Sequence, residues 1–128
     1  MKHEIIGGAL TLADGKTLPL SKAVRAGDFL FLSGQLGLNA QGVLAGDSVE
    51  VQTRQALQNI AAILTEAGAG LHQVIKATVW LVDGADFARF NPVYAEFFAQ
   101  HPPVRSTVVS GLVLKGALVE IEVMAYAP

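Results

Sequence analysis

Two stretches that alternate with a period of two flank one that repeats with a helical period. "HQVIKATVWLVD" places Ile75, Ala77, Val79 and Leu81 on one side and Lys76, Thr78 and Trp80 on the other, as a strand covered on one face does. "DFARFNPVYAEFFAQH" carries Phe87, Phe90, Tyr94 and Phe97 at helical spacing, which reads as a core-facing stripe. Asn91-Pro92 fits an N-cap followed by proline at the first helical position, which puts the start of the helix there. "VRSTVVS" then returns to β-branched alternation. This βαβ order predicts an α+β domain with two helices packed on one face of a mixed sheet.

The remaining segments fit that frame. "DFLFLSGQLG" opens with an apolar run, Phe29 to Leu32, and closes on a Ser-Gly turn, which reads as a buried strand. With "SKAVRAG" before it, a hairpin turns near Ala26-Gly27. "AGDSVEVQTRQALQNIAAILTEAGAG" is the clearest helix, with Val49, Thr53, Leu57, Ile60, Leu64 and Ala67 on one stripe. Asp47 with Glu50 fits a capping box and Gly68 a stop. "ALVEIEVMAYA" is the last strand. The predicted order is hairpin, helix, strand, helix and two strands, with no helix left for the second face of the sheet. Another subunit is the natural cover.

Composition points the same way. Of 128 residues, 52% are hydrophobic and 16% charged, against about 25% charged in an average soluble domain. One domain over residues 1–128 is expected, and too few charges cover it as an isolated monomer, so a homo-oligomer is expected too. There are no cysteines, which excludes a disulfide scaffold, a thiolate nucleophile and the common zinc sites. The nine Lys and Arg are scattered and the net charge is −2, so no electrostatic footprint for nucleic acid is present. "MKHEIIGGAL" lacks a signal peptide's long apolar run and no stretch has the length of a membrane span. A soluble, cytoplasmic protein without membrane or nucleic-acid partners is the expectation.

Few residues carry chemistry. Arg105 starts a strand behind Pro102-Pro103, which read as a rigid entry, and shares one face with Thr107 and Val109. A guanidinium binds a carboxylate through two parallel hydrogen bonds, although the pattern alone favours a surface arginine in a weak ion pair. Glu120 and Glu122 share a side with Leu118, Met124 and Tyr126. A carboxylate in a mostly apolar strand has a raised pKa suited to general acid or base work; the plainer reading is a solvated face or an interface, and periodicity does not choose between the two glutamates. His3, His72 and His101 lack metal-ligand spacing, so no metal site is expected. Gly68 and Gly70 follow a helix instead of opening one, which makes them a stop and not a phosphate cradle. Ser33 lies in no nucleophile elbow, and "SGQ" reads as a turn whose backbone approaches a ligand closely.

Taken together, "FLSGQLG", "VQTRQALQNIAAILTEAG", "VIKATVWLVDGADFARFNPVYAEFF", "PPVRSTVV" and "ALVEIEVMAYA" resemble the Rid family, the reactive intermediate deaminases also called RidA/YjgF, from about Ser21 to Tyr126. The resemblance implies a chorismate-mutase-like fold, a homotrimer with clefts between subunits, and no cofactor. It also implies hydrolysis of enamine and imine acids, such as 2-aminoacrylate and 2-iminobutanoate, to 2-keto acids and ammonia. The arginine that holds the substrate carboxylate corresponds to Arg105 and the glutamate that orients water to Glu120. Ser33 and Gly34 correspond to the turn lining the cleft, and Asn91 to the asparagine at the second helix. Three departures stand out. "LPLSK" replaces a "GPYSQ"-like segment, with Leu20 at the tyrosine and Lys22 at the glutamine. Thr107 takes the place of a cysteine, and the link from Phe98 to Arg105 is shorter. A non-catalytic carboxylate-binding module and a hydrolase for a larger aminoacrylate-type metabolite are the alternatives. Some family members are described as endoribonucleases or translation inhibitors, which the acidic balance here argues against.

Overall fold

The computed structural model describes residues 3–128. Seven strands form one sheet: β1 (His3–Thr11), β2 (Thr17–Ala26), β3 (Phe29–Leu32), β4 (Gln35–Leu36), β5 (Val74–Leu81), β6 (Val104–Val109) and β7 (Val119–Tyr126). Their order is β1-β2-β3-β7-β5-β6, with β4 also pairing β7. Every pairing is antiparallel except β5 with β6. That parallel pair is the βαβ unit: α2 (Phe87–Phe98) crosses between them, and α1 (Val49–Glu66) lies beside it. The hairpin turn falls at Gly27-Asp28, between the paired Ala26 and Phe29, and Gly27 takes a φ of 61°.

β1 is absent from the sequence reading. Gly7 and Gly8 both adopt positive φ, and the register with β2 shifts between Ile6 and Ala9. A bulge of this kind breaks the alternation that marks a strand. The start of α1 is corrected by one residue: Ser48, not Asp47, is the N-cap, and its hydroxyl accepts from the Val51 N–H at 3.2 Å. The start of α2 is corrected by more. A 3-10 turn over Gly84–Asp86, capped by the Asp83 side chain on the Ala85 N–H, leads into the helix at Phe87. Asn91 and Pro92 therefore lie inside it. Pro92 is tolerated because the carbonyl it leaves unpaired belongs to Ala88, an exposed residue.

Both helices cover the same face of the sheet, as the periodicities require. Leu57, Ile60 and Leu64 of α1 and Phe90 of α2 are fully buried against Leu30, Val79, Leu81, Val119 and Ile121. Each such side chain contributes about 1.5–3 kcal/mol by leaving water. α1 ends as Gly68 turns to positive φ, with the Ala69 N–H on the Leu64 carbonyl and the Gly68 N–H on the Thr65 carbonyl, a Schellman closure. Ile75 departs from its predicted place: β5 bulges between Val74 and Lys76, and Ile75 turns outward. Gln52, outside the predicted stripe, is fully buried. It donates to the Gly46 and Gly116 carbonyls and accepts from the Leu118 N–H, so it pins the entry to β7 two residues before Glu120.

Among the described residues, no helix covers the opposite face. Phe29 and Phe31, read as buried, are exposed, and the Phe29 ring lies tilted against that of the exposed Tyr126, 5.3 Å between centroids. No helix among the described residues is long and apolar enough to cross a membrane.

Candidate active site

Arg105 belongs to the helix-covered face. It pairs in register with Ala77, and Thr107 with Val79, both buried under the helices; partners directly opposite on adjacent strands project to the same side. β6 is the edge strand of the sheet, so the guanidinium reaches toward α2 at an open margin. There it lies over three rings, 5.7 Å from the centroid of Phe87, 5.5 Å from Phe90 and 4.7 Å from Tyr94. Phe90 and Tyr94 are buried, but Phe87, assigned to the core by spacing, is exposed. Burial pushes the Tyr94 phenol above its ordinary pKa, against the pull of the Arg105 charge. Asn91, one turn beyond Phe87, lies on the same helical stripe and is half-buried. Arg105 and Thr107 thus share this face of β6, and Asn91 lies on the α2 stripe that carries Phe87.

Glu120 belongs to the other face. It pairs with Trp80 of β5 and with Leu36 of β4, and its strand neighbours Val119 and Ile121 point into the core. Gly34 is the residue that seats it. A Cβ at position 34 would fall 2.1 Å from Glu120 Oε2 and 3.0 Å from its Cδ, so any side chain there displaces the carboxylate. Burial, and after it the Glu122 carboxylate, push the Glu120 carboxyl above the usual glutamate range. Glu122 is exposed. The structure therefore separates the two glutamates that periodicity left equivalent.

Ser33 supports this half without offering its proton. Its hydroxyl donates to the Ser21 carbonyl at 2.6 Å, and its N–H donates to the Lys22 carbonyl at 2.9 Å. The turn before β4 is thereby clamped to β2. Leu20, the residue before Ser21, is 38% exposed.

The predicted residues thus fall into two sets. Gly34 and Glu120 touch, with Ser33 next to Gly34 and Leu20 next to Ser21, whose carbonyl Ser33 bonds; Arg105 and Thr107 share one face of β6, and Asn91 lies on α2, one turn from Phe87. Within one chain the sheet stands between Arg105 and Glu120. Three concavities lie elsewhere: one of about 440 Å³ between α1, β1, β2 and the turn at Gly34, one at His72 and His101, and one of about 80 Å³ beside Phe31 and Glu122. Arg105 and Glu120 line none of the three. Sequence reasoning did not foresee the three rings around Arg105. The signal was present as aromatics at i, i+3 and i+7 of the crossover helix, preceding an arginine on the strand that the helix feeds.

Known proteins match this chain over nearly its whole length. A family model described as endoribonuclease L-PSP matches residues 14–127. A RutC family protein of Pyrococcus horikoshii is 46% identical over 109 residues, covering 84% of this chain and 86% of that protein. The chloroplastic Reactive Intermediate Deaminase A of Arabidopsis thaliana is 42% identical over 108 residues, covering 84% of this chain and 58% of that protein. The crystal structure of YyfA from Yersinia pestis, of the conserved Rid protein family, superposes with a TM-score of 0.88 at 35% identity, covering 98% of this chain and 100% of that one. With sheet order, helix placement and sequence all matched from Asp14 onward, this chain belongs to the Rid (RidA/YjgF) family and has its fold.

Proposed function

We propose that the protein hydrolyses small, reactive 2-imino and enamine acids, of the 2-aminoacrylate and 2-iminobutanoate type, to 2-keto acids and ammonia. The reaction takes place in clefts between the subunits of a homotrimer. One observation carries this reading: Arg105 and Glu120 project from opposite faces of the same sheet. An arginine of one copy meets a glutamate only when a second copy supplies it. Exposed Phe29 and Phe31 beside the Glu120 strand, with Tyr126 on it, supply the apolar surface for such a contact.

In that cleft the Arg105 fork takes the substrate carboxylate through paired, charge-assisted hydrogen bonds, with Thr107 and Asn91 beside it. Glu120 of the neighbouring copy orients water toward C2, with Gly34 leaving it room and Leu20 forming a wall. An enamine first shifts a proton from its nitrogen to C3 and so becomes the imine. The water oxygen then bonds to C2 as the C=N π electron pair moves to nitrogen, and the protons released from water reach that nitrogen through Glu120. The carbinolamine then breaks its C–N bond, so that ammonia leaves and a keto acid remains. Water is the only co-reactant. Imines already hydrolyse in water, so positioning supplies the modest acceleration required.

The test generates 2-iminobutanoate with an amino-acid oxidase and traps what remains with semicarbazide. The protein is expected to lower the trapped amount, and Arg105→Ala to lose that effect. Equal trapping with and without protein, or full activity in Arg105→Ala, overturns the reading. The exposed, apolar Leu20 favours one variant of it, a larger apolar aminoacrylate-type substrate; comparing amino-acid precursors of increasing size in the same assay decides. Tight binding of 2-ketobutyrate with no turnover of any imine would instead mark a carboxylate-binding module.

A further inference from the structure

We propose that Phe87, Phe90 and Tyr94 form an aromatic cradle that fixes the plane of the Arg105 guanidinium and so act as positioning residues for carboxylate capture. The inference rests on the reading of Arg105 as the carboxylate anchor.

The first observation is what holds the arginine. Arg25 spends its donors on the Ala127 and Ala67 carbonyls, Arg54 pairs with Glu96, and Arg89 pairs with Asp86 and Glu50. Arg105 makes no ion pair among the described residues; three rings lie against it, and the one polar group it acts on as a donor is the hydroxyl of Tyr94, a member of the same stripe. A ring attracts the cation through its face, whereas a carboxylate or carbonyl would occupy the N–H fork. The cradle therefore orients the guanidinium and leaves most of its five N–H donors free.

The second observation is that the cradle is rigid. The Tyr94 ring lies 5.5 Å from that of Phe90 and 4.8 Å from that of Phe98. Phe90 and Tyr94 are buried, while Phe87 closes the exposed side. The buried Tyr94 hydroxyl forms no hydrogen bond of ordinary geometry, and Arg105 acts on it both as a charge and as a donor, so Tyr94→Phe separates what the ring does from what the hydroxyl does.

The test measures 2-ketobutyrate binding by calorimetry, and KM and kcat in the trapping assay, for Phe87→Leu, Tyr94→Leu and Tyr94→Phe. Each leucine variant is expected to raise Kd and KM about three- to tenfold with kcat little changed, because an oriented cation over an aromatic face is lost. Tyr94→Phe keeps the ring and restores both values to within about twofold of wild type. In an Arg105→Lys background, where no planar fork remains to be oriented, the leucine substitutions are expected to add little. Unchanged Kd and KM in folded variants overturn the cradle, as do a fall in kcat at constant KM, an equal loss in Tyr94→Phe, or equal effects over Arg105→Lys. Phe87 is exposed, so its variant tests the idea even if Tyr94→Leu does not fold. A wild-type protein that neither binds 2-ketobutyrate nor turns over imine fails at the anchor and takes the cradle with it. A wild type that does both beside unaffected leucine variants removes the cradle alone.

Discussion

Leu30 and Phe31 are neighbours on β3, yet one is fully buried and the other 43% exposed. Leu30 enters the core that α1 and α2 close; Phe31 projects with Phe29 onto the face that no helix among the described residues covers. The candidate site divides in the same way. Arg105 has rings of its own subunit against it, while Glu120 is half-buried with Gly34 against its carboxylate. The difference teaches that one face of this sheet specifies the fold, while the other is free for the assembly proposed above.

The largest effect should come from spoiling the open face. Phe31→Arg places a charge where assembly needs apolar surface. It is expected to give a folded monomer by light scattering and circular dichroism, with imine turnover reduced to that of buffer. Leu30→Ala is the contrast: a core cavity costing about 2–5 kcal/mol, read as a lower denaturation midpoint, with oligomeric state and specific activity retained in the folded fraction. A fully active Phe31→Arg monomer would break the comparison.

A second experiment sharpens it by dividing the site between chains. Arg105→Ala and Glu120→Gln are each expected to be inactive alone. Unfolded together and refolded in equal amounts, they should recover about a quarter of wild-type activity, since half the clefts receive an intact arginine and half of those an intact glutamate when neighbours combine at random. No recovery in mixed oligomers would show that Arg105 and Glu120 act within one chain or not at all.

How much of this was legible in the sequence follows from the same division. The covered face was readable because burial imposes periodicity: Val49, Leu57, Ile60 and Leu64 fall on a helical stripe, and Val119, Ile121 and Val123 alternate. Where local backbone geometry overrides periodicity, reading failed. Gly7 and Gly8 hid β1, the bulge at Ile75 turned a predicted core residue outward, and the 3-10 turn at Gly84 moved the start of α2 ahead of Asn91-Pro92. The site was legible as residue types and as a resemblance. Its arrangement was not, because whether Arg105 and Glu120 share a face depends on strand order and register, which belong to the whole sheet.

A third prediction concerns Glu120 and pH. Its folded pKa lies above its unfolded one, chiefly through burial, so the folded protein binds this proton more tightly. The group's stabilising contribution is then complete below the unfolded pKa and is lost as pH rises through the folded one. Glu120→Gln should therefore raise the melting temperature at pH 8 and leave it nearly unchanged at pH 3. Turnover should rise with pH across the same raised pKa if the carboxylate handles the water proton. A limb at the ordinary glutamate value would mean that the open face is wetter than its burial implies.

The smallest effect isolates the second cause of that shift. Glu122 shares the open face two residues on from Glu120, and its negative charge opposes ionisation of its neighbour. Glu122→Gln removes the repulsion and leaves the burial, so the acid limb of kcat/KM should move to lower pH without reaching the ordinary glutamate value. Salt provides the control. Raising ionic strength from about 0.15 M to 1 M shortens the screening length from about 8 Å to 3 Å, which weakens the repulsion between an exposed carboxylate and its neighbour. The wild-type limb should therefore move down with salt and the Glu122→Gln limb should not. If both move equally, the charge acting on Glu120 comes from elsewhere, and a second copy packed over the open face is the place to seek it.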